Sequence, residues 1–199
     1  MNSPTSNLKP AALTCEHLHN PLGLTEPKPR LSWTLESDQR NQRQIAYQIL
    51  VAERPEDLEN NRGTLWDSGR VPSDQMVDVV YTGRPLRSRQ RCLWKVRVWD
   101  AGNAASDYSE PAMWQMGLLD GDDWQAEWIG IETETTTDLK LKPGVFLRKP
   151  FTLDAPVTRA TLYATAKGVY RPYLNGKRVG RAELAPGWTD YHRRIQVQT

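Results

Sequence analysis

Cys92-Leu93-Trp94-Lys95-Val96-Arg97-Val98-Trp99-Asp100 is the stretch that decides the fold. Trp94, Val96 and Val98 point one way while Lys95 and Arg97 point the other, the period of two that a half-buried β-strand demands. Asp100-Ala101-Gly102-Asn103 closes it with hairpin chemistry. Upstream, Arg30 to Glu36 alternates Leu31, Trp33 and Leu35 with polar neighbours, and Gln44 to Glu53 sets Ile45, Tyr47, Ile49 and Val51 on one face. Pro55-Glu56-Asp57-Leu58-Glu59 reads as one short helical turn, with a proline and acids where a helix begins. Trp66-Asp67-Ser68-Gly69 marks a strand end and turn, Met76 to Tyr81 is a further strand, and Ala112 to Gly117 supplies the last. About seven short strands in roughly 115 residues are the signature of an immunoglobulin-like sandwich, with Trp33 and Trp94 as its large core pieces.

Leu118-Leu119-Asp120-Gly121-Asp122-Asp123 is acidic and turn-prone, so residues 1–118 are expected as one domain and 119–199 as the beginning of a second. Glu132 to Lys142 reads as an exposed Thr- and charge-rich loop. Strands are expected again at Val145 to Leu153, at Ala160 to Ala166 and from Arg193. Asn175-Gly176 between extended residues predicts a type I′ hairpin, because both central positions of that turn need positive φ. Pro172 then belongs at an edge or bulge. The chain stops inside what reads as an ongoing sheet, so the second domain is expected to be truncated.

Composition narrows the function. Charged residues are 25% and hydrophobic ones 38%, a soluble globular balance, and no stretch approaches the roughly 18 uninterrupted apolar residues of a membrane helix. The polar start lacks the apolar core of a secretion signal, which points to a cytoplasmic protein. Net charge is +2, and the arginines between Arg84 and Arg91 form a loop rather than a basic stripe with stacking aromatics, so nucleic acid is not an expected partner. Cys15 and Cys92 read as buried free thiols, with one bridge across the sandwich open in an oxidising compartment. His17 and His19 share a face if extended but have no third ligand nearby, and His192 is isolated. Asp120, Asp122 and Asp123 lack the ligand pattern of a calcium loop and read as a solvated linker. Neither a nucleophile elbow nor a phosphate loop is present.

Several segments, in order, resemble α-L-rhamnosidases of glycoside hydrolase family 78. They are Asn20-Pro21-Leu22-Gly23-Leu24 through Pro29-Arg30-Leu31-Ser32-Trp33, Ala46 to Ala52, Leu65 to Gly69, Leu93 to Asp100, and Asp123-Trp124 to Trp128-Ile129-Gly130. The most specific is Gly168-Val169-Tyr170 through Asn175-Gly176 to Pro186-Gly187-Trp188-Thr189-Asp190-Tyr191, similar to the family's N-terminal jelly-roll domain. The resemblance implies an all-β front end, a fibronectin-III-like sandwich followed by the start of a jelly roll. It implies an enzyme that hydrolyses terminal α-L-rhamnose with inversion, using two carboxyl groups roughly 6.5–9.5 Å apart. In the family these lie on a downstream α/α-barrel domain, the expected partner of this region. No residue here is therefore expected to be catalytic, and rhamnose-containing glycosides are substrates only of the complete protein.

The aromatic group Tyr170, Tyr173, Trp188 and Tyr191, with Asn175, is the one constellation suited to ligand contact, because sugars pack C–H faces on aromatic rings. Tyr170, Asn175, Trp188 and Tyr191 are the candidate carbohydrate-binding residues, against the alternative that these rings fill the sandwich. No cofactor is expected. Rhamnose-binding relatives leave calcium open, although the tip Leu174-Asn175-Gly176 offers no carboxylate. A stand-alone carbohydrate-binding module and a fibronectin-type interaction module are the rival readings.

Overall fold

The computed structural model describes residues 6–130 and 144–199, so the expected loop Glu132 to Lys142 lies outside the described residues. Two compact units emerge, one reaching Asp123 and one spanning Trp124–Gln198.

The first unit is a sandwich. Strands β1 (Lys9–Cys15), β2 (Arg30–Glu36) and β5 (Val79–Val80) make one sheet in the order β1-β2-β5. Strands β3 (Gln44–Ala52), β4 (Trp66–Asp67), β6 (Arg91–Asp100) and β7 (Ala112–Gln115) make the other in the order β4-β3-β6-β7. All pairings are antiparallel, and the longest runs from Gln44 opposite Asp100 to Ala52 opposite Leu93.

Between the sheets lie Leu31, Trp33, Ile49, Val51, Trp94, Val96, Val98 and Trp114, all buried. Trp94 and Trp114 are fully enclosed, and each contributes roughly 4–6 kcal/mol of transfer free energy at about 25 cal/mol per Å². Tyr81 meets Trp114 edge-to-face at 5.9 Å between ring centroids, and Trp33 meets Tyr47 at 5.3 Å. The Trp33 indole donates to Gln44 Oε1 at 3.1 Å. Pairing shifts between Gln44 and Ala46, so Ile45 falls in a bulge and Gln44 takes the inward place expected for Ile45.

Three further details of this unit's strands depart from the sequence reading. The segment 76–81 joins the sheet only at Val79–Val80, because Asp78 at φ 56° breaks the extended backbone. Strand β1 escapes notice because its pairing shifts between Ala11 and Thr14, where Ala12 has φ 46° and the alternation fails. The outer face of β3 is covered rather than wet, since Leu50 and Ala52 pack with Leu93 and with Leu58 of the short helix α1 (Pro55–Glu59).

Cys15 and Cys92 are buried free thiols. His17 and His19 are exposed and part company, His17 Nε2 lying 3.2 Å from Asp78 Oδ1 and His19 Nδ1 3.2 Å from the Leu13 carbonyl. Asp123 is not a merely solvated acid. Its carboxylate accepts from Ser88 Oγ and from the Asp120 amide, the Leu119 amide donates to Ser88 Oγ at 2.8 Å, and Arg89 donates to the Asp123 carbonyl. The segment 119–123 is thereby fastened to the arginine-rich loop and closes in a 3₁₀ turn, Gly121–Asp123.

The second unit pairs β8 (Gly168–Val169) with β11 (Pro186–Gly187) and β9 (Tyr173–Leu174) with β10 (Lys177–Arg178). The strands expected at Val145 to Leu153, Ala160 to Ala166 and from Arg193 do not form. The latter two meet at a single bridge, Ala164 to Gln198, beside which the Thr165 hydroxyl donates to the Gln196 carbonyl at 2.5 Å. An extended segment becomes a strand only where a second backbone pairs with it, and among the described residues none pairs with 145–153. Phe146, Phe151 and Leu153 accordingly stand exposed. No helix among the described residues is long and apolar enough to cross a membrane.

Candidate functional site

The hairpin forms where the sequence places it. Asn175 at φ 50° and Gly176 at φ 77° make the turn between β9 and β10, and the Val179 amide donates to the Pro172 carbonyl at 2.9 Å. The β8–β11 register then spaces the candidate aromatics. Val169 faces Pro186 and the Tyr170 amide donates to the Ala185 carbonyl, while Trp188 continues the other end of the ladder beyond Gly187. Tyr170 and Trp188 are therefore three register positions apart, about 10 Å along the strand.

Trp188 is 79% exposed, Asn175 is exposed, and Tyr170 and Tyr191 are half-buried. Burial pushes the Tyr170 phenol above its ordinary range. The Tyr191 hydroxyl is enclosed without a hydrogen-bond partner in the described structure. No ring-to-ring contact joins Tyr170, Tyr173, Trp188 and Tyr191 into one platform. Trp188 is the most open of these rings, with Tyr173 57% exposed.

Glu183 is the charged centre of this unit, and the sequence reading missed it. Its two carboxylate oxygens accept from Arg171 Nη2 at 2.7 Å and Arg178 Nη1 at 2.6 Å, and Arg178 also reaches the Ala182 carbonyl. Hydrogen bonds from the two guanidiniums hold the Glu183 carboxyl below its usual range. A general acid for glycoside cleavage needs the opposite shift, so Glu183 fastens the hairpin rather than donating protons. The only sequence signal is three arginines and one glutamate within the 13 residues from Arg171 to Glu183, too common a pattern to single out. Among the described residues, no three His, Cys, Asp or Glu side chains gather as a metal ion would require.

Comparison with known proteins adds what this geometry does not. Residues 10–120, more than half of the chain, match the model of the Rha78A-like N-terminal immunoglobulin domain. The chain belongs to that family. Residues 155–199 match the α-L-rhamnosidase N-terminal domain, in the order the sequence resemblance implies. An α-L-rhamnosidase of Alteromonas sp. (strain LOR) is 42% identical over 205 residues, covering 100% of this chain and 22% of the relative. One from Formosa agariphila is 40% identical, covering 92% of this chain and 20% of the relative.

Among solved structures, the α-L-rhamnosidase of Dictyoglumus thermophilum superposes with a TM-score of 0.84 at 30% identity, over 100% of this chain and 23% of that one. The Streptomyces avermitilis α-L-rhamnosidase, complexed with L-rhamnose, gives 0.59 at 43% identity, over 62% of this chain and 12% of that one. The chain spans about a fifth of the length of its curated relatives. It is all-β and corresponds to the N-terminal domains of larger α-L-rhamnosidases.

Proposed function

We propose that these residues serve an α-L-rhamnosidase as an accessory region that packs against and helps position a catalytic domain. That domain would act on terminal α-L-rhamnose of glycosides, with inversion. The observation that carries this reading is the match of two successive N-terminal domain models, over 10–120 and 155–199, within relatives about five times longer. The exposed Phe146, Phe151 and Leu153 give it physical support, because apolar side chains of this size gain by burial against a neighbour. A chimera tests it, with this chain replacing the matching fifth of the Alteromonas relative. The chimera should hydrolyse p-nitrophenyl α-L-rhamnoside well above the relative lacking that fifth. Equal activity of the two would contradict a positioning role.

A second reading is sugar contact through Tyr170, Asn175, Trp188 and Tyr191. The 79% exposure of Trp188 favours it, since an indole left in water is a ready surface for a sugar C–H face. Titration with L-rhamnose, with and without calcium, should move the Trp188 indole resonance. No saturable change at that residue would remove this reading.

A further inference from the structure

The first unit contains a cleft of about 370 Å³ between the edges of its two sheets, lined among others by Tyr47, Trp66, Asp67, Gln75, Asp78 and Thr82. It lies beside the short strands β4 and β5, where the sandwich is open. Trp66 is only partly buried and is held edge-on against Tyr81 at 5.4 Å, so its orientation is fixed by the core. Tyr47 is 6% exposed, pinned edge-to-face by Trp33, and its hydroxyl has no hydrogen-bond partner among the described residues. The hydroxyl itself is not sealed from solvent, so a ligand hydroxyl can take the place of water there. Gln75 spends its amide N–H groups on the Val77 and Asp78 carbonyls at 3.0 and 3.3 Å, which leaves its Oε1 as an acceptor. Thr82, exposed at the rim, adds a hydroxyl.

We propose that this cleft binds one neutral sugar ring, its C–H face against the Trp66 indole and its hydroxyls on Tyr47, Gln75 and Thr82. The volume is at the lower end of the range for ligand pockets and suits a single ring. Asp67 and Asp78 disfavour an anionic ligand. A cationic one gains little, because Asp78 already faces His17 at 3.2 Å and Arg30 at 4.0 Å, and Asp67 Oδ1 already accepts from Gln48 and the Gly69 amide. The cleft is independent of the Trp188 surface and of the assignment to rhamnoside chemistry, since any neutral ring with axial C–H bonds gathered on one face fits the same description.

Titration of the 199-residue protein with methyl α-L-rhamnoside and methyl α-D-glucoside, followed by the Trp66 indole and Tyr47 amide resonances, tests this. Saturable shifts at both residues with at least one of the two sugars are expected, and none with glucuronate. Tyr47→Phe, which keeps the ring, should weaken binding at least fivefold, as should Thr82→Val at the exposed rim. If neither sugar gives saturable shifts at Trp66, if glucuronate binds as well, or if both cleft variants bind like the parent, the proposal fails. Failure of the chimera above would leave this result unaffected.

Discussion

The Lys95 ammonium donates to the Leu58 carbonyl at 2.5 Å and to Asn61 Oδ1 at 2.7 Å, tying the centre of β6 to the end of α1. A lysine on the outer face of a sheet ordinarily keeps its head in water, yet Lys95 is 8% exposed. The helix end supplies the compensation: the Leu58 carbonyl accepts from the Asn61 amide at 2.9 Å and offers Lys95 its second lone pair, at a terminus that carries partial negative charge. The Tyr108 ring completes the site, 4.5 Å from Nζ to its centroid.

Lys95→Met keeps the aliphatic stem and removes the donor. It should destabilise the first unit by about 1–3 kcal/mol, the range for losing hydrogen bonds from a charged group. Urea unfolding checks this, with unchanged slope. A variant as stable as the parent would mean that the carbonyls of α1 find water as readily.

Alkaline pH should weaken the fold. Burial pushes the Cys92 thiol from 9.0 to about 12, and burial with the nearby Cys92 pushes the Tyr81 phenol from 10.0 to about 12. Both groups hold their protons more tightly when folded, so their contribution is fully present below pH 9 and is lost as pH rises towards 12. Thermal melts between pH 8 and 11 should show Tm falling above pH 9. Cys92→Ala should flatten part of that slope while lowering stability at neutral pH.

Tyr81 also donates its hydroxyl to the Arg84 carbonyl at 2.8 Å, with the Leu65 carbonyl at 3.4 Å. Tyr81→Phe leaves the contacts with Trp66 and Trp114 and removes the donor to the Arg84 carbonyl, while the Leu65 carbonyl keeps the Arg84 amide at 3.0 Å. It should cost about 1–3 kcal/mol by urea unfolding. Trp94→Ala, which empties a fully buried site, should cost about 3–5 kcal/mol. Trp94→Phe should cost less than half as much, because the Trp94 indole N–H is buried without a partner.

Ser88→Ala removes the hydroxyl that joins Asp123 to the Leu119 amide. The segment 119–123 should then be cleaved faster by a nonspecific protease, with the melting of the first unit almost unchanged. Equal cleavage rates would show that Arg89 and the 3₁₀ turn hold the segment alone.

The sequence displays β6 plainly because one face is uniformly apolar and a strand's period is two, and it displays the Asn175-Gly176 turn because positive φ is a local demand. What it hides is tertiary. Lys95 reads as solvated because the docking of α1 cannot be seen in the strand itself, and β1 is lost to a bulge at Ala12. Val145 to Leu153 has strand-like residues, but pairing depends on a second backbone. Among the candidate sugar contacts, sequence proximity suggested a cluster, whereas the β8–β11 register sets Tyr170 and Trp188 three positions apart. Glu183 was hidden because its role comes from where two arginines end up.

This all-β chain matches the N-terminal domains of α-L-rhamnosidases about five times its length, and we propose that it has none of their hydrolytic activity on its own. The most direct measurement is release of nitrophenolate from p-nitrophenyl α-L-rhamnoside by the purified 199-residue protein. No release above the buffer rate is predicted, even at high protein concentration. Turnover that scales with protein concentration and copurifies with the chain would contradict it.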